Sequence, residues 1–310
     1  MIVGSKKDGI NVADLVAANS NGARLIPRLL TDGTYALSDA SKTDPETSEA
    51  HAILATWTTN NTPSYLTGLV SNALSASSIL IKQGDSVYAH LGGRGDGALT
   101  MPADNVFRFS IGPASGTAYD LAGGRRRSQI APHVVQGATS GQTAWCSYCC
   151  VLGDTDGADS GAEAQTMQWQ QTGTGFAPPV EISVVNGEFG IYTRSSASTY
   201  PTGSGRPVTH YSAPVPDKGV KDYFVQQVTF GASGHINVWR NGTQIVNADT
   251  PIGYYAGASA GTVLGWFCTG LYASASLNSD TAYIANPEWS FNTLADRITT
   301  PLPVPDLDWS

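Results

Sequence analysis

Gln165-Thr166-Met167-Gln168-Trp169-Gln170-Gln171 is the stretch from which the fold and the candidate site can both be argued. Successive side chains of a β-strand point to opposite faces, so Gln168 and Gln170 share one face and Met167 and Trp169 the other. Two neutral amides backed by a large apolar residue describe a polar groove lined on its reverse by a core. Amides both donate and accept hydrogen bonds, which suits a ligand rich in hydroxyls and carboxylates, such as a polysaccharide. Neither glutamine is an acid, a base or a nucleophile.

The same two-residue period runs outward from this strand. Downstream, Val180–Val185 and Glu188–Arg194 flank Asn186-Gly187, a dipeptide suited to a type I′ hairpin turn. Phe224–Phe230, His235–Arg240 and Thr243–Val246 follow, the last two joined by Asn241-Gly242, and then Trp266–Tyr272 and Thr281–Ile284. Asn241-Gly242-Thr243 also spells a glycosylation acceptor but reads as the turn itself. Upstream, Gln142–Leu152 is a long apolar run, Arg127–Ile130 a short strand, and Asn105–Ile111 alternates cleanly. Ala52–Trp57, Ser78–Lys82 and Asp85–Leu91 precede them; the last ends in the glycine cluster Gly92–Gly97, whose Arg94-Gly95-Asp96 reads as a plain turn. About a dozen strands with no long helix and no short repeat predict an all-β fold, a two-sheet antiparallel β-sandwich.

Composition narrows the function. A chain of 310 residues buries a substantial core. Its 34 glycines, 17 prolines and 14% charged residues describe turn-rich β structure. A net charge of -8 and a pI near 5.0 argue against nucleic acid and anionic membranes as partners. Arg125-Arg126-Arg127 is the only local concentration of cations. No apolar run approaches the ~20 residues of a membrane-spanning helix, and Met1–Gly9 contains no apolar leader, so neither membrane insertion nor secretion is expected. Of the four cysteines, Cys146 and Cys149 face opposite sides of a strand, so their spacing cannot clamp one metal. Core thiols in a reducing compartment are the expectation. The aspartates of Gly153–Gly161 depart from the EF-hand spacing and lack its closing glutamate, so a solvated loop is expected and no metal or cofactor.

The ends read differently from the middle. Residues 1–50 form an N-terminal docking arm, with a short helix at Val12–Ala18, a segment Ala23–Leu30 broken by Pro27, and a polar, turn-like Leu37–Thr47. Residues 51–300 form the sandwich. Residues 301–310, rich in prolines that lack a backbone donor, run extended over a surface, the chain's own or a neighbouring subunit's.

Three strands place side chains on one period: Arg127 with Gln129, Gln168 with Gln170, and Trp266 with Cys268, Gly270 and Tyr272. Converging on one concave sheet, they would give a groove with a cation, several amides, a phenol and an aromatic platform. Over roughly residues 105 to 290 the order of elements resembles the jelly-roll polysaccharide lyases, the concanavalin A-like group of alginate, glucuronan and heparin lyases. Arg127-Ser-Gln-Ile130 sits where alginate lyases carry Arg-(Ser/Thr)-Glu-Leu. Gln142–Tyr148 is similar to the Trp-containing strand that follows, and Gln168-Trp169-Gln170 falls on Gln-(Ile/Val/Trp)-His. Trp239-Arg-Asn-Gly242 looks like the Trp-x-(Asp/Asn)-Gly hairpin, and Trp266–Tyr272 falls on Tyr-Phe-Lys-x-Gly-(Val/Ile)-Tyr. The resemblance implies that Arg127 and Gln168 neutralise a uronate carboxylate and that Tyr272 donates a proton to the leaving oxygen. The family's base falls on Gln170, its glutamate on Gln129 and its lysine on Cys268, so the departures fall on the chemistry and spare the frame.

The expectation is therefore a carbohydrate-binding jelly roll without efficient catalysis, with Arg127, Gln129, Gln168, Gln170, Trp266 and Tyr272 as ligand-binding residues. Reducing-compartment thiols, an arm and a proline-rich tail point to a phage-type virion component, a fibre or spike that recognises host-surface polysaccharide. Such a protein is expected to be a homo-oligomer that contacts other virion proteins through its arm and tail. The alternatives are an active lyase with Tyr272 as both base and acid, a purely structural virion protein, and a lyase domain whose leader is missing from this sequence. His133 and His210 are the spare candidates for a base.

Overall fold

The computed structural model describes residues 3–5, 25–29, 34–39, 78–83, 86–91, 99–103, 105–112, 124–132, 137–155, 163–171, 177–185, 187–195, 207–256, 258–259, 261–274 and 280–309. They are almost entirely β, and every paired strand is antiparallel. Two sheets face each other across one large apolar core, as a jelly-roll sandwich does.

In the first fifty residues, β1 (Val3–Ser5), β2 (Leu25–Leu29) and β3 (Thr34–Asp39) form a separate three-stranded sheet in the order β1-β3-β2. This corrects the reading of Pro27 as a break and of residues 37–39 as a turn. Pro27 lies inside β2, and β2 is an edge strand, where proline is tolerated because every second N–H points away from the ladder. The helix expected at 12–18, the strand expected at 52–57 and the cluster 92–97 lie outside the described residues.

The nine-stranded sheet is built from β4 (Ser78–Gln83), β5 (Ser86–Leu91), β8 (Arg125–Pro132), β11 (Glu163–Gln170), β12 (Val180–Val185), β13 (Glu188–Thr193), β14 (Val208–Pro214) and β18 (Val263–Ser274). Their order is β14-β13-β12-β11-β18-β8-β5-β4, with the two-residue β9 (Ala138–Thr139) paired to β18 off this path. The seven-stranded sheet uses β6 (Leu99–Ala103), β7 (Val106–Ile111), β10 (Thr143–Thr155), β15 (Lys221–Thr229), β16 (His235–Arg240), β17 (Thr243–Asp249) and β19 (Asp280–Ser290), in the order β17-β16-β15-β10-β19-β7-β6. A single helical turn, α1 (Asp296–Thr299), is the only helix among the described residues.

Alternation explains both faces of the long strand β10. Ala144, Cys146, Tyr148, Cys150 and Leu152 enter the core between the sheets. Cys149 and Val151 point the other way, into a smaller cluster with Val106, Tyr283 and Ala285. The C-terminal tail covers that cluster. Trp309 packs edge-on against Tyr283 at 5.1 Å, Lys221 Nζ bonds Asp306 at 2.6 Å and the Val304 carbonyl at 3.1 Å, and Asn286 donates to the Pro303 carbonyl at 2.9 Å. The extended tail thus lies on the chain's own seven-stranded sheet, where its apolar side chains find cover.

All four cysteines are free and buried. The dipeptide Asn241-Gly242 makes the β16–β17 turn, with both residues at positive φ (51° and 79°). Its asparagine also accepts from the Tyr223 N–H and donates to Asp222, which Arg240 grips through two bonds of 2.6 and 2.9 Å.

Candidate functional site

The face of the nine-stranded sheet turned away from the core carries the candidate site. On β11, Met167 and Trp169 enter the core while Gln168 faces away from it. Trp169 is fully buried, and its indole N–H donates to Gln226 of the opposite sheet at 3.0 Å, which fixes β11 across the core. Strict alternation would place Gln165 on the core side with Met167. The register shifts between Gln165 and Met167 against both neighbours, with one extra residue on β11 at Thr166 against β12 and one extra on β18 against β11, and this resets the phase and turns Gln165 to the outer face.

Register then defines rows across the sheet. Tyr272 on β18 lies opposite Arg127 on β8 and Gln165 on β11, and Gln165 lies opposite Ser183 on β12. Gln168 lies opposite Cys268 and Glu181, Gln170 opposite Trp266, and Gln129 opposite Gly270. All six residues expected from the sequence share this face. They do not form one cluster. Gln168 and Gln170 stand beside positions four and six residues along β18 from Tyr272, roughly 13 and 20 Å of strand at a rise of ~3.3 Å per residue. The amide beside Tyr272 is Gln165, not Gln168. Gln170, at the position where a base was sought, donates instead to the Gln168 side-chain oxygen.

Charge is organised around Tyr272. The Arg127 guanidinium lies 4.5 Å from the ring centroid and that of Arg125 lies 5.7 Å away. Arg125 also approaches Glu163 at 3.8 Å, so it belongs to this face and not only to solvent. Arg126, one residue on, donates to the Arg125 carbonyl. Beneath them Glu181 is buried and bound by Arg194, with contacts of 2.6 and 2.8 Å. Burial pushes the Glu181 carboxyl above its ordinary value, and the bonds to Arg194 pull it back part of the way. Gln165 donates to both carboxylates, at 2.9 Å to Glu163 and 3.1 Å to Glu181. Burial also pushes the Cys268 thiol up to about 12, so it is a small neutral floor residue.

The floor also holds polar atoms that are buried with no hydrogen-bond partner: both amide atoms of Gln129, Nε2 of Gln168, Oε1 of Gln165, Oγ of Ser183 and Nε1 of Trp266. A folded chain pairs nearly all its buried polar groups, and each unpaired one costs about 1–3 kcal/mol. All six lie on the strands whose outer face carries Tyr272.

Glu181, Arg194, Gln165 and Glu163 were missed by sequence reasoning. The signal for Glu181 was present: in Val180-Glu-Ile-Ser-Val-Val185 it alternates against Val180 and Ile182, which enter the core. Of the spare bases, His210 does not join Tyr272. His133 lies outside the described residues. His210 is on β14, four strand positions from β18, roughly 19 Å at the ~4.8 Å strand spacing. Its Nε2 bonds Thr193 Oγ1 at 2.7 Å. Among the described residues no group of His, Cys, Asp and Glu is arranged to hold a metal ion, and no helix is long and apolar enough to cross a membrane.

No protein-family model matches the chain, and no curated protein matches it either. Among solved structures the chain is similar to a family 7 alginate lyase in complex with product, at 16% identity over 64% of this chain and 85% of that one, with a TM-score of 0.47. It is also similar to an endo-β-1,4-glucuronan lyase from the fungus Trichoderma reesei, at 15% identity over 72% of this chain and 94% of that one, with a TM-score of 0.49. A third is the alginate lyase AlyC3, at 12% identity over 62% and 74% of the two chains, with a TM-score of 0.42. These are jelly-roll polysaccharide lyases, the group the strand order resembles. At this distance the likeness concerns the arrangement of strands and not the chemistry of any side chain.

Proposed function

We propose that the outer face of the nine-stranded sheet is a cleft for a polysaccharide, bound lengthwise along β18. The observation that carries this reading is the line of partly exposed polar and aromatic side chains on this face, with Arg125, Arg127 and Tyr272 at one end and Gln170 and Trp266 at the other. Their spread, roughly 20 Å of strand between Trp266 and Tyr272 at ~3.3 Å per residue, suits an extended polymer better than a single small molecule. Trp266 is partly exposed at one end, where an indole ring can stack on a sugar. Arg125 and Arg127 at the other end favour a uronate or another acidic sugar.

One observation favours turnover as a second reading. Tyr272 lies under two guanidinium groups that can hold a uronate carboxylate and so acidify the proton at C5. In the β-elimination this would support, the Tyr272 phenolate takes the C5 proton, the C4–O bond breaks, a C4=C5 double bond forms, and Tyr272 returns the proton to the leaving oxygen. Calorimetric titration with alginate and glucuronan tests the cleft. Absence of binding to any polyuronate or neutral glycan on an array refutes it. Appearance of the ultraviolet absorbance of an unsaturated uronate, abolished in Tyr272→Phe, converts the binder into a lyase.

The virion setting is also proposed here. Four buried, reduced cysteines suit synthesis in a reducing compartment, and a ligand found outside the cell then calls for a particle that carries the protein there. Labelling of purified particles with an antibody to this chain tests it, and unlabelled particles refute it.

A further inference from the structure

We propose that Tyr192 is a second platform of the cleft, laid down over Gly190, and that it takes a neutral sugar carried as a side branch on the acidic polymer over Tyr272. The inference rests on the cleft reading above. On β13, Phe189 and Ile191 enter the core, so Glu188, Gly190 and Tyr192 share the outer side. Tyr192 is partly exposed and lies opposite Glu181. Its ring does not stand away from the sheet. A β-carbon at Gly190 would collide with the Tyr192 hydroxyl oxygen and two adjoining ring carbons, so the phenol fills the place of the side chain that Gly190 lacks. Collision with three adjoining atoms at once puts the glycine under the face of the ring and not off its edge. A glycine inside a strand often marks a place where another group comes close, and here that group is the chain's own tyrosine. The opposite face of the ring is left for the C–H side of a sugar.

Place and charge define what this platform takes. Gly190 lies opposite Ser183, Ser183 opposite Gln165, and Gln165 opposite Tyr272. The ring over Gly190 is thus three strand spacings from Tyr272, roughly 14 Å at ~4.8 Å each. A polymer lying along β18 passes it by, whereas a branch leaving that polymer near Tyr272 reaches it. The cations Arg125 and Arg127 stand at Tyr272. Around Tyr192 the balance is reversed. Glu181 is offset by Arg194, but Glu188 is exposed and Glu163 partly so. Burial, and then the charges of Glu181, Glu188 and Glu163, hold the Tyr192 phenol above its ordinary value, so it stays protonated. A uronate on this ring would be repelled by the same carboxylates, and a neutral sugar would not.

The test uses the full chain and whichever of alginate and glucuronan binds it, in three forms: unbranched, grafted with short glucose branches, and grafted with the same branches oxidised to uronates. Glucose branches are expected to tighten wild-type binding about fivefold by titration calorimetry, the order of one aromatic contact, and oxidised branches to give no gain. Tyr192→Ala loses the gain, while Tyr192→Phe keeps the ring and retains it. Gly190→Ala leaves the tyrosine in the chain, lifts its ring off the sheet and loses the gain as well. The two tyrosine variants, at a partly exposed position, decide the matter if Gly190→Ala fails to fold. Equal wild-type affinity for the unbranched and glucose-branched polymers, or an equal gain from oxidised branches, overturns the role of Tyr192 and leaves the cleft standing. So does a gain that survives in Tyr192→Ala or in folded Gly190→Ala, or one that is lost in Tyr192→Phe. Failure of both unbranched polymers to bind the wild type overturns the cleft reading and this inference with it.

Discussion

Replacing Gln129 by methionine removes an amide whose nitrogen and oxygen are both buried without partners, on a residue with no exposed surface. Methionine has nearly the same length and volume and fills the space without a polar group. An unpaired buried polar group costs about 1–3 kcal/mol, so Gln129→Met should stabilise the ligand-free protein by about that amount. For a domain of this size each kcal/mol moves Tm by about 2–4 °C, which puts the expected rise at about 2–12 °C by scanning calorimetry. In the proposed cleft the same change removes a polar group from beneath the bound glycan. A loss of 1.4 kcal/mol there is tenfold in Kd, and roughly that weakening is expected by titration calorimetry. Stability gained and affinity lost together are the signature of a site that holds polar groups ready at the expense of the fold. A lower Tm in Gln129→Met would show that the amide serves the fold, with ordered water as its partner. A higher Tm with unchanged affinity for every glycan that binds the wild type would show that no ligand uses it.

Further outcomes follow from the same packing. Trp169→Phe leaves Gln226 Oε1 without its 3.0 Å donor and opens a small cavity behind the site strand; a loss of about 2–4 kcal/mol is expected, read as a lower denaturant midpoint at unchanged m. Burial lowers the His210 pKa in the folded state, so the unfolded chain binds the proton more readily. The stability that His210 contributes is present above its unfolded value near ~6.5 and is lost as pH falls below it; His210→Gln should flatten the stability–pH curve over that range and no other. Burial raises Cys149 and Cys268 to about 12 and pushes Cys146 and Cys150 up as well, so a thiol reagent at neutral pH should find almost no reactive cysteine in the native protein and all four after denaturation.

Much of the sandwich could be read from alternation alone, because burial on one face imposes a period of two wherever the backbone is regular. The β12–β13 and β16–β17 hairpins follow from Asn-Gly dipeptides, and the strands around Trp169, Phe224 and Ile236 from their apolar phase. The two-residue β9 and the exposed edge strand β14 carry no such pattern: Val208–Pro214 has no fully buried residue, so nothing in its composition marks an inner face. Pro27 misled for a related reason, since whether a proline breaks a strand depends on its place in the sheet.

Wherever the strands run true, alternation in the sequence already sorts the faces: Arg127, Gln129, Gln168, Gln170, Trp266 and Tyr272 all lie on the outer face, as the period of two requires. Which of them meet was decided only by the tertiary structure. Neighbours across a sheet are set by register, and register is a relation between segments that lie about a hundred residues apart, as Gln165 and Tyr272 do. The bulge at Thr166 shifts that register and reverses the phase of everything before it, bringing Gln165 to Tyr272 and leaving Gln168 further along the strand. Such a shift leaves no trace in the composition of β11, because its cause is the fit against β12 and β18 on either side.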